Sequence, residues 1–275
     1  MRTAVIVPTY NRTDALAAVL EGFLAQDDLD FELVVADDGS TPETRAVVEA
    51  FAKRAPFRIT HVWHEDQGFR LSAIRNRAAA ATSADYLIFN DGDCIPPPYF
   101  VSTHKRLAEG GAFLAGNRLL LSEDFTRRVL ASQESVHRWS RWQWLGARLR
   151  GDINRWLPLV RLPNGGFRRH VRQRWQGVKT CNMSLWREDL LRVNGMDEAF
   201  SGWGLEDSDL VIRLYRAGVR QKTARFAAPV FHLWHRESDR SKFAENQKRF
   251  DELLRSDRVR AALGIDRYLS ANAPG

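Results

Sequence analysis

Only two cysteines, Cys94 and Cys181, occur in the 275 residues of this chain. So few thiols cannot build a disulfide framework, and their scarcity fits a reducing compartment. Long apolar runs are missing too, since no stretch approaches the ~20 residues that a membrane span requires. The first apolar run, Ala4 to Val7, stops at Pro8 and lacks the core of a signal peptide. Together these absences predict a cytosolic protein, one that can still rest on a membrane face. No Gly-x-Gly-x-x-Gly follows the first apolar run, which excludes a dinucleotide-binding dehydrogenase, and no Walker-type phosphate loop occurs. Negative charge is in short supply, with 34 Asp and Glu against 41 Lys and Arg and a net charge of +7. Such an excess of cations predicts an anionic partner: a sugar nucleotide, an anionic lipid surface or a nucleic acid.

What is present is an alternation of short apolar runs and amphipathic stretches. Ala4–Val7, Phe31–Ala36, Arg58–Trp63 and Tyr86–Phe89 read as strands, the first and last of them buried. Between them, helical spacing covers Thr13–Ala25, Thr41–Ala52 (with Pro42 in its first turn) and Phe69–Thr82. This order predicts an α/β fold with a mostly parallel central sheet flanked by helices. Ligands bind such sheets beyond the C-terminal strand ends. The loops there are 8–12, 36–41 and 90–98, and all three are chemically loaded. Later, Cys181 to Ser184 reads as a central strand, Ala227 to Phe231 as another, and Lys242 to Leu254 as an amphipathic helix. Residues 125–177 differ in character. Arginines such as Arg148, Arg150, Arg155 and Arg168 alternate there with Trp139, Trp142, Trp144, Trp156 and Trp175, and acids are sparse. This segment is expected to be an elaboration of the core fold.

Asp91-Gly92-Asp93, directly after Tyr86–Phe89, carries the most chemistry. Two carboxylates one residue apart at a strand end can grip a hard divalent cation and the phosphates it carries. The glycine between them lets a ligand approach the backbone. Taken alone, the pair reads equally as a solvated turn.

In order along the chain, Val5-Ile6-Val7-Pro8-Thr9-Tyr10-Asn11-Arg12, Ala36-Asp37-Asp38-Gly39-Ser40 and Asp91-Gly92-Asp93 resemble the signatures of family 2 inverting glycosyltransferases with the GT-A fold. Gly202-Trp203-Gly204-Leu205-Glu206-Asp207-Ser208-Asp209-Leu210 resembles the galactosyltransferase segment shared by β-1,4-galactosyltransferases and bacterial chondroitin-polymerase-like enzymes. His232-Leu233-Trp234-His235 falls where that group has its metal histidine. The likeness covers about three quarters of the chain and is silent about residues 125–177. It implies one glycosyltransferase domain over 1–275, with a nucleotide-binding half (1–120), a basic Trp-rich insertion (121–177) and an acceptor half (178–275). It also implies a UDP-sugar as sugar source, Mn²⁺ (or Mg²⁺) as cofactor, and a glycan or lipid-linked glycan as acceptor.

Each role has a plainer alternative. Asp37, where the family has an aspartate, is expected to recognise the nucleotide base, or else to cap the helix near Thr41. Asp38 takes the turn or capping role. Thr9 and Tyr10 line the same pocket, Tyr10 by stacking, or are turn residues. Arg75 matches the arginine of the family's Ala-Arg-Asn helix, which faces the nucleotide; its fork suits a carbonyl or phosphate oxygen, and otherwise it is a surface arginine. Asp93 is expected to ligate the metal, with Asp91 on the ribose or bound through water. His232 and His235, three apart, face one way on a helix or a tight loop and complete the shell, a mixture suited to Mn²⁺. Asp207 is the expected catalytic base, with Glu206 beside it holding acceptor or sugar, both kept ionised by a helix N-terminus. The alternative is an ordinary acidic first helical turn. Trp203 offers an indole face to a pyranose. Asp209 is expected to cap or to pair with Arg213. Asn182 is either a sugar contact or a buried structural amide.

Two rival functions differ in class. A nucleotidyltransferase that makes sugar nucleotides needs a glycine-rich basic loop after the first strand, and Pro8-Thr9-Tyr10-Asn11 is not one. A non-enzymatic nucleic-acid binder would use the Arg/Trp segment. That segment is better explained as an acceptor-side lid that also seats the protein on an anionic membrane surface, so no nucleic acid is expected.

Overall fold

The computed structural model of the chain describes residues 1–169, 171–236 and 239–269. Its first seven elements are β1 (Thr3–Thr9), α1 (Thr13–Leu24), β2 (Glu32–Asp37), α2 (Pro42–Ala52), β3 (Ile59–Trp63), α3 (Leu71–Ala80) and β4 (Tyr86–Phe89). They follow the apolar pattern with small shifts at the ends. Then come β5 (Cys94–Ile95), α4 (Phe100–Leu107), β6 (Ala112–Ala115), β7 (Arg118–Leu120), α5 (Glu123–Ser132) and α6 (Arg141–Leu149). The last third holds β8 (Met183–Trp186), α7 (Arg187–Arg192), α8 (Glu206–Arg216), β9 (Arg220–Thr223), β10 (Val230–His232), α9 (Phe243–Leu254) and α10 (Asp266–Leu269).

Seven strands form one sheet in the order β3-β2-β1-β4-β8-β6-β9, and β5-β10-β7 form a second. In the large sheet β8 alone runs against its neighbours. Every residue of β1 is buried because both faces are covered. Val5 and Val7 join Leu33, Val35 and Ile88 in one core, while Ala4 and Ile6 join Val34, Ala36 and Phe89 in the other. Helix α1 closes the first core through Leu16, Val19, Leu20 and Phe23; α3 and α8 close the second through Ile74, Ala78, Leu210 and Leu214.

The chain builds β1, β2 and β3 outward on one side, then returns to place β4 on the other side of β1. The strand order therefore reverses at β1, and the crevice beyond the C-terminal ends of β1 and β4 is where such sheets bind ligands. β8 brings a second segment there: pairing Met183 with Phe89 sets the turn before β8 beside the end of β4. The small sheet brings a third, because β10 sets His232 opposite Cys94.

The predicted strand from Cys181 begins only at Met183, since Thr180–Asn182 form a 3₁₀ turn. Asn182 is the structural amide of the two alternatives. Its Nδ2 donates to the carbonyls of Asn117 (2.9 Å) and Ala228 (2.8 Å), and its Oδ1 lies 3.1 Å from His104 Nε2.

Within 125–177 most of the indoles pack inward. Trp144 is stacked on Phe231 at 4.3 Å between centroids, Trp139 lies 5.0 Å from Trp144, and Trp175 meets Phe250 at 4.8 Å. Several arginines are equally committed. Buried Arg168 donates to the carbonyls of Leu162, Pro163, Thr223, Arg225 and Phe226. Arg128 and Arg150 both pair with Asp152. Much of the segment is thus taken up by packing against the core and by bare carbonyls, as befits an elaboration of the core fold. Trp142 stays outside, 79% exposed.

Candidate active site

The loop after β4 is held against β1. Gly92 N–H donates to the Pro8 carbonyl at 3.0 Å, and a Cβ on Gly92 would stand 2.4 Å from that oxygen. It is the chain's own β1, passing behind the loop, that demands glycine here. On one side of it, Asp91 accepts from Arg75 Nη2 at 2.6 Å. Arg75 is buried on α3 and also lies 3.6 Å from Asp207, so one guanidinium spans carboxylates from β4 and α8. Burial raises the Asp91 carboxyl despite Arg75, and the Asp93 and Asp207 carboxylates add to the rise. The Nε and Nη1 atoms of Arg75 are buried without a hydrogen-bond partner.

Helix α8 begins in a constrained loop. Gly202 (φ +72°), Gly204 (φ +109°) and Leu205 (φ +74°) are all left-handed. Leucine rarely adopts that conformation, and such strain is typical of functional loops. Its consequence is to start the helix on Glu206 and Asp207. Asp207 Oδ1 accepts from Thr180 Oγ1 at 2.6 Å, which leaves Oδ2 without a protein partner among the described residues. Glu206 departs from the expectation that both acids stay ionised. Burial first, then the adjacent Asp207 carboxylate, push its pKa up to about 7. The helix dipole contributes too little to offset that burial. Asp209 turns away into the core and receives Arg213 Nε at 2.8 Å, as its position in the sequence implies.

Asp93 on the other side of Gly92 faces the end of β10. Its Oδ2 lies 3.4 Å from His235 Nε2 and 3.8 Å from His232 Nε2. His232 closes the strand and His235 sits in the loop beyond it, the tight-loop version of the two geometries open to the spacing. His235 Nδ1 is 2.6 Å from the Arg236 carbonyl, so in the neutral ring the proton sits on Nδ1 and Nε2 bears a lone pair. Burial lowers the pKa of His232 against the pull of Asp93, which keeps that ring neutral near pH 7. Both rings turn Nε2 toward one carboxylate oxygen, a mixed oxygen and imidazole set of the kind that holds a divalent cation. The backbone carbonyl behind His235 is the outer support that ligating histidines carry. Cys94 Sγ also lies within 4.8 Å of donor atoms of Asp93 and His232. Burial pushes this thiol well above its ordinary pKa, so it stays protonated.

At the β1–β2 end the two aspartates divide differently from the sequence expectation. Asp37 is 1% exposed and both its oxygens are in use, Oδ1 by Ser40 N–H (2.8 Å) and Oδ2 by His61 (2.8 Å). Burial works to raise this carboxyl, but the hydrogen bonds from His61 and Ser40 outweigh it and hold it below the usual range. It is Asp38 that lines the cleft, taking a 2.8 Å hydrogen bond from Arg70 N–H at the start of α3 and meeting His64 at 2.6 Å. Neither oxygen of Asp38 caps α2. Thr9 lines the cleft with its buried hydroxyl unpartnered, and Tyr10 stands 47% exposed at the rim, its hydroxyl donating to Asp66 at 2.8 Å. Trp203 is on the opposite wall, with the Arg240 guanidinium 4.8 Å from its ring.

A single cleft of about 510 Å³ takes in Thr9, Tyr10, Arg75, Asp91, Asp93, Trp203, Glu206, Asp207, His232 and His235. Of the residues expected to hold the nucleotide, the metal or the reacting groups, Asp37 lies outside it, and so does Asn182, the alternative sugar contact. Sequence reasoning missed Phe69, Arg118, Lys179 and Thr180 on its walls. Thr180 and Lys179 carry no signal of their own; only the antiparallel return of β8 brings them here.

The model of glycosyl transferase family 2 matches residues 4–175, and one described as the N-terminal domain of galactosyltransferase matches 166–236. The chain is 34% identical over 242 residues to validoxylamine A glucosyltransferase of Streptomyces hygroscopicus subsp. limoneus, a match covering 81% of this chain and 49% of that protein. With chondroitin synthase of Escherichia coli it shares 26% over 224 residues, 78% of this chain and 32% of the other. It thus spans about half the length of the first relative and less of the second. Among solved structures, S. aureus TarS 1-349 in complex with UDP-GlcNAc matches at TM-score 0.60 and 15% identity, over 98% of this chain and 71% of that one. The mannosyltransferase PcManGT of Pyrobaculum calidifontis, in complex with GDP-Man and Mn²⁺, matches at 0.59 and 18%, over 100% and 76%. These likenesses make the fold GT-A, the sheet-and-helix arrangement read from the sequence. With a family model over most of its length and the acids and histidines gathered in one cleft, the chain belongs to glycosyl transferase family 2.

Proposed function

We propose that the chain is a metal-dependent, inverting transferase that moves a hexose-type sugar from a UDP-sugar to a glycan or lipid-linked glycan, in the building of bacterial cell-surface polysaccharide. One observation carries the reading. Asp91 and Asp93 after β4, Glu206 and Asp207 opening α8, and His232 and His235 at β10 converge on one cleft at the sheet's reversal point.

Asp207 is the base. Thr180 fixes one of its oxygens, and the free Oδ2 accepts the proton of the attacking hydroxyl. Attack from the face opposite the diphosphate inverts the anomeric centre. Glu206, near pH 7 still partly protonated, can donate to a sugar hydroxyl while Asp207 accepts, a division of labour between adjacent carboxyls set by their surroundings. Arg75 holds Asp91 in place and has spare N–H groups for an oxygen of the nucleotide. Asp93, His232 and His235 would hold the metal, with Mn²⁺ favoured by the mixed carboxylate and imidazole shell. Bound there, the ion supplies positive charge for the departing diphosphate. Thr9, Tyr10 and Asp38 provide the wall for the base, with Asp37 bracing their loop, and Trp203 provides the sugar platform. A panel of UDP-sugars scored for Mn²⁺-dependent UDP release tests this. Release no greater than that of Asp207→Asn with every sugar would sink it.

The membrane seat is a second proposal, favoured by α6, where Trp142 is 79% and Leu149 81% exposed. No helix among the described residues is long and apolar enough to cross a membrane. Flotation with anionic and with neutral liposomes reads it: the wild type floats with the anionic ones, and Trp142→Ser with Leu149→Ser does not. Equal flotation of both proteins removes the idea.

A further inference from the structure

A second pocket, of about 370 Å³, opens beside the cleft at the far end of the sheet edge from Tyr10 and Asp38. Its charged lining is wholly basic: Arg118, Arg155, Lys179 and Arg225, with no acid among the lining residues. Arg118 opens β7, Lys179 precedes the turn before β8, Arg225 follows β9, and Arg155 comes from the Arg/Trp segment. Four separate parts of the chain therefore deliver one cation each to the same hollow. None of the four side chains makes a hydrogen bond or ion pair among the described residues. This contrasts with Arg128, Arg150, Arg168 and Arg169 nearby, all of them paired or bonded.

Arg118 feels the carboxylates of Asp91 and Asp93, and Lys179 that of Glu206, all on the side of the cleft. Arg155 and Arg225 line the pocket with no carboxylate in ion-pair range among the described residues, and a bound anion supplies that missing charge. Asn117 on the same wall holds a buried Oδ1 with no partner, an acceptor for a hydroxyl. A ligand bearing both an anionic group and hydroxyls answers all of these groups at once. The pocket is also continuous with the chemistry. Arg118 and Lys179 line both hollows, and Thr180, next in sequence to Lys179, hydrogen-bonds the base Asp207.

We infer that this pocket binds an anionic group, a carboxylate or a phosphate, carried by the acceptor next to the hydroxyl that is glycosylated. Placing it on the acceptor rests on the transferase reading above; the preference for an anion does not. The Arg/Trp segment thereby gains a role beyond packing, because it supplies Arg155 and, through Leu157 and Pro158, one wall of the pocket.

Calorimetry with three probes tests the inference: a glucuronate-containing tetrasaccharide, its carboxyl-reduced neutral counterpart, and a glycerol phosphate tetramer. UDP with Mn²⁺ is titrated as a control. At least one anionic probe is expected to bind about tenfold or more tighter than the neutral one, and whichever binds tighter identifies the source of the charge. The double variant Arg155→Ala with Arg225→Ala should abolish that preference while its UDP affinity and Tm stay at wild-type values. These two arginines make no interaction that the fold needs, so loss of folding is not expected, and Arg155→Lys with Arg225→Lys should retain most of the preference. Equal affinity for charged and neutral probes, or a preference surviving in the Ala variant, overturns the inference. A loss of UDP affinity instead assigns the pocket to the nucleotide and overturns it too. If UDP fails to bind the wild type, the transferase reading falls, while the anion preference is still read from the three probes.

Discussion

Arg75 donates to Asp91 at 2.6 Å from a position that is 1% exposed. A buried guanidinium without its carboxylates, or the reverse, is expensive, and breaking such a pair costs about 3–5 kcal/mol. Asp207 shares the same cation at 3.6 Å, so carboxylates from two walls of the cleft depend on one residue.

Arg75→Ala is therefore expected to lower stability by about 3–5 kcal/mol in denaturant melts. Arg75→Lys should fold better yet raise the KM for UDP-sugar about tenfold, since an ammonium cannot span both carboxylates. A lysine variant with unchanged KM and kcat would show that the fork has no part in binding.

Asp93→Ala and His235→Ala should each remove most metal-dependent activity. Titration of Mn²⁺ against UDP release checks it, with the apparent metal affinity of each variant expected to fall. Near wild-type turnover in either variant at saturating Mn²⁺ would refute the ligand assignment.

Asp207→Asn preserves shape and the Thr180 contact but removes the proton acceptor. Transfer should drop by ~10²–10⁴ with UDP-sugar affinity largely kept. Calorimetry that found UDP-sugar affinity lost in a folded variant would make Asp207 a binding residue.

Glu206 links the site to pH. Its folded pKa of about 7 stands above its ordinary 4.5. Between those values the folded chain keeps a proton that the unfolded chain releases. Its contribution to stability is full below pH 4.5 and is lost as pH rises through 7. Glu206→Gln escapes this loss. Its Tm, compared with that of the wild type, should gain several degrees between pH 5 and pH 8, and a constant gap across that range would contradict the burial that raises Glu206.

Gly92→Ala tests the close crossing of β1 behind the Asp91–Asp93 loop. With a methyl group 2.4 Å from the Pro8 carbonyl, one of the two must move. The variant should lose both stability and metal affinity, and an unaffected metal titration would show that the loop tolerates displacement.

The alternation of strands and helices was legible because β1, β2 and β4 are covered on both faces and appear as largely apolar runs, while the edge strand β3, with Thr60 and His61, is only partly buried. Asp91, Asp93, Glu206, Asp207, His232 and His235 were legible as motifs, since their chemistry is local. Which of Asp37 and Asp38 faces the cleft was not. Neighbours at a strand end point to opposite sides, and the phase is set by where β2 lies against β1, with Asp37 opposite Thr9. The same holds for Arg118, Lys179 and Thr180, ordinary residues that the return of β8 and the pairing of β10 with β7 carry to the site. Local periodicity and residue chemistry are written along the chain; which distant residues share a cavity depends on strand order and register, and those are decided only when the sheets assemble.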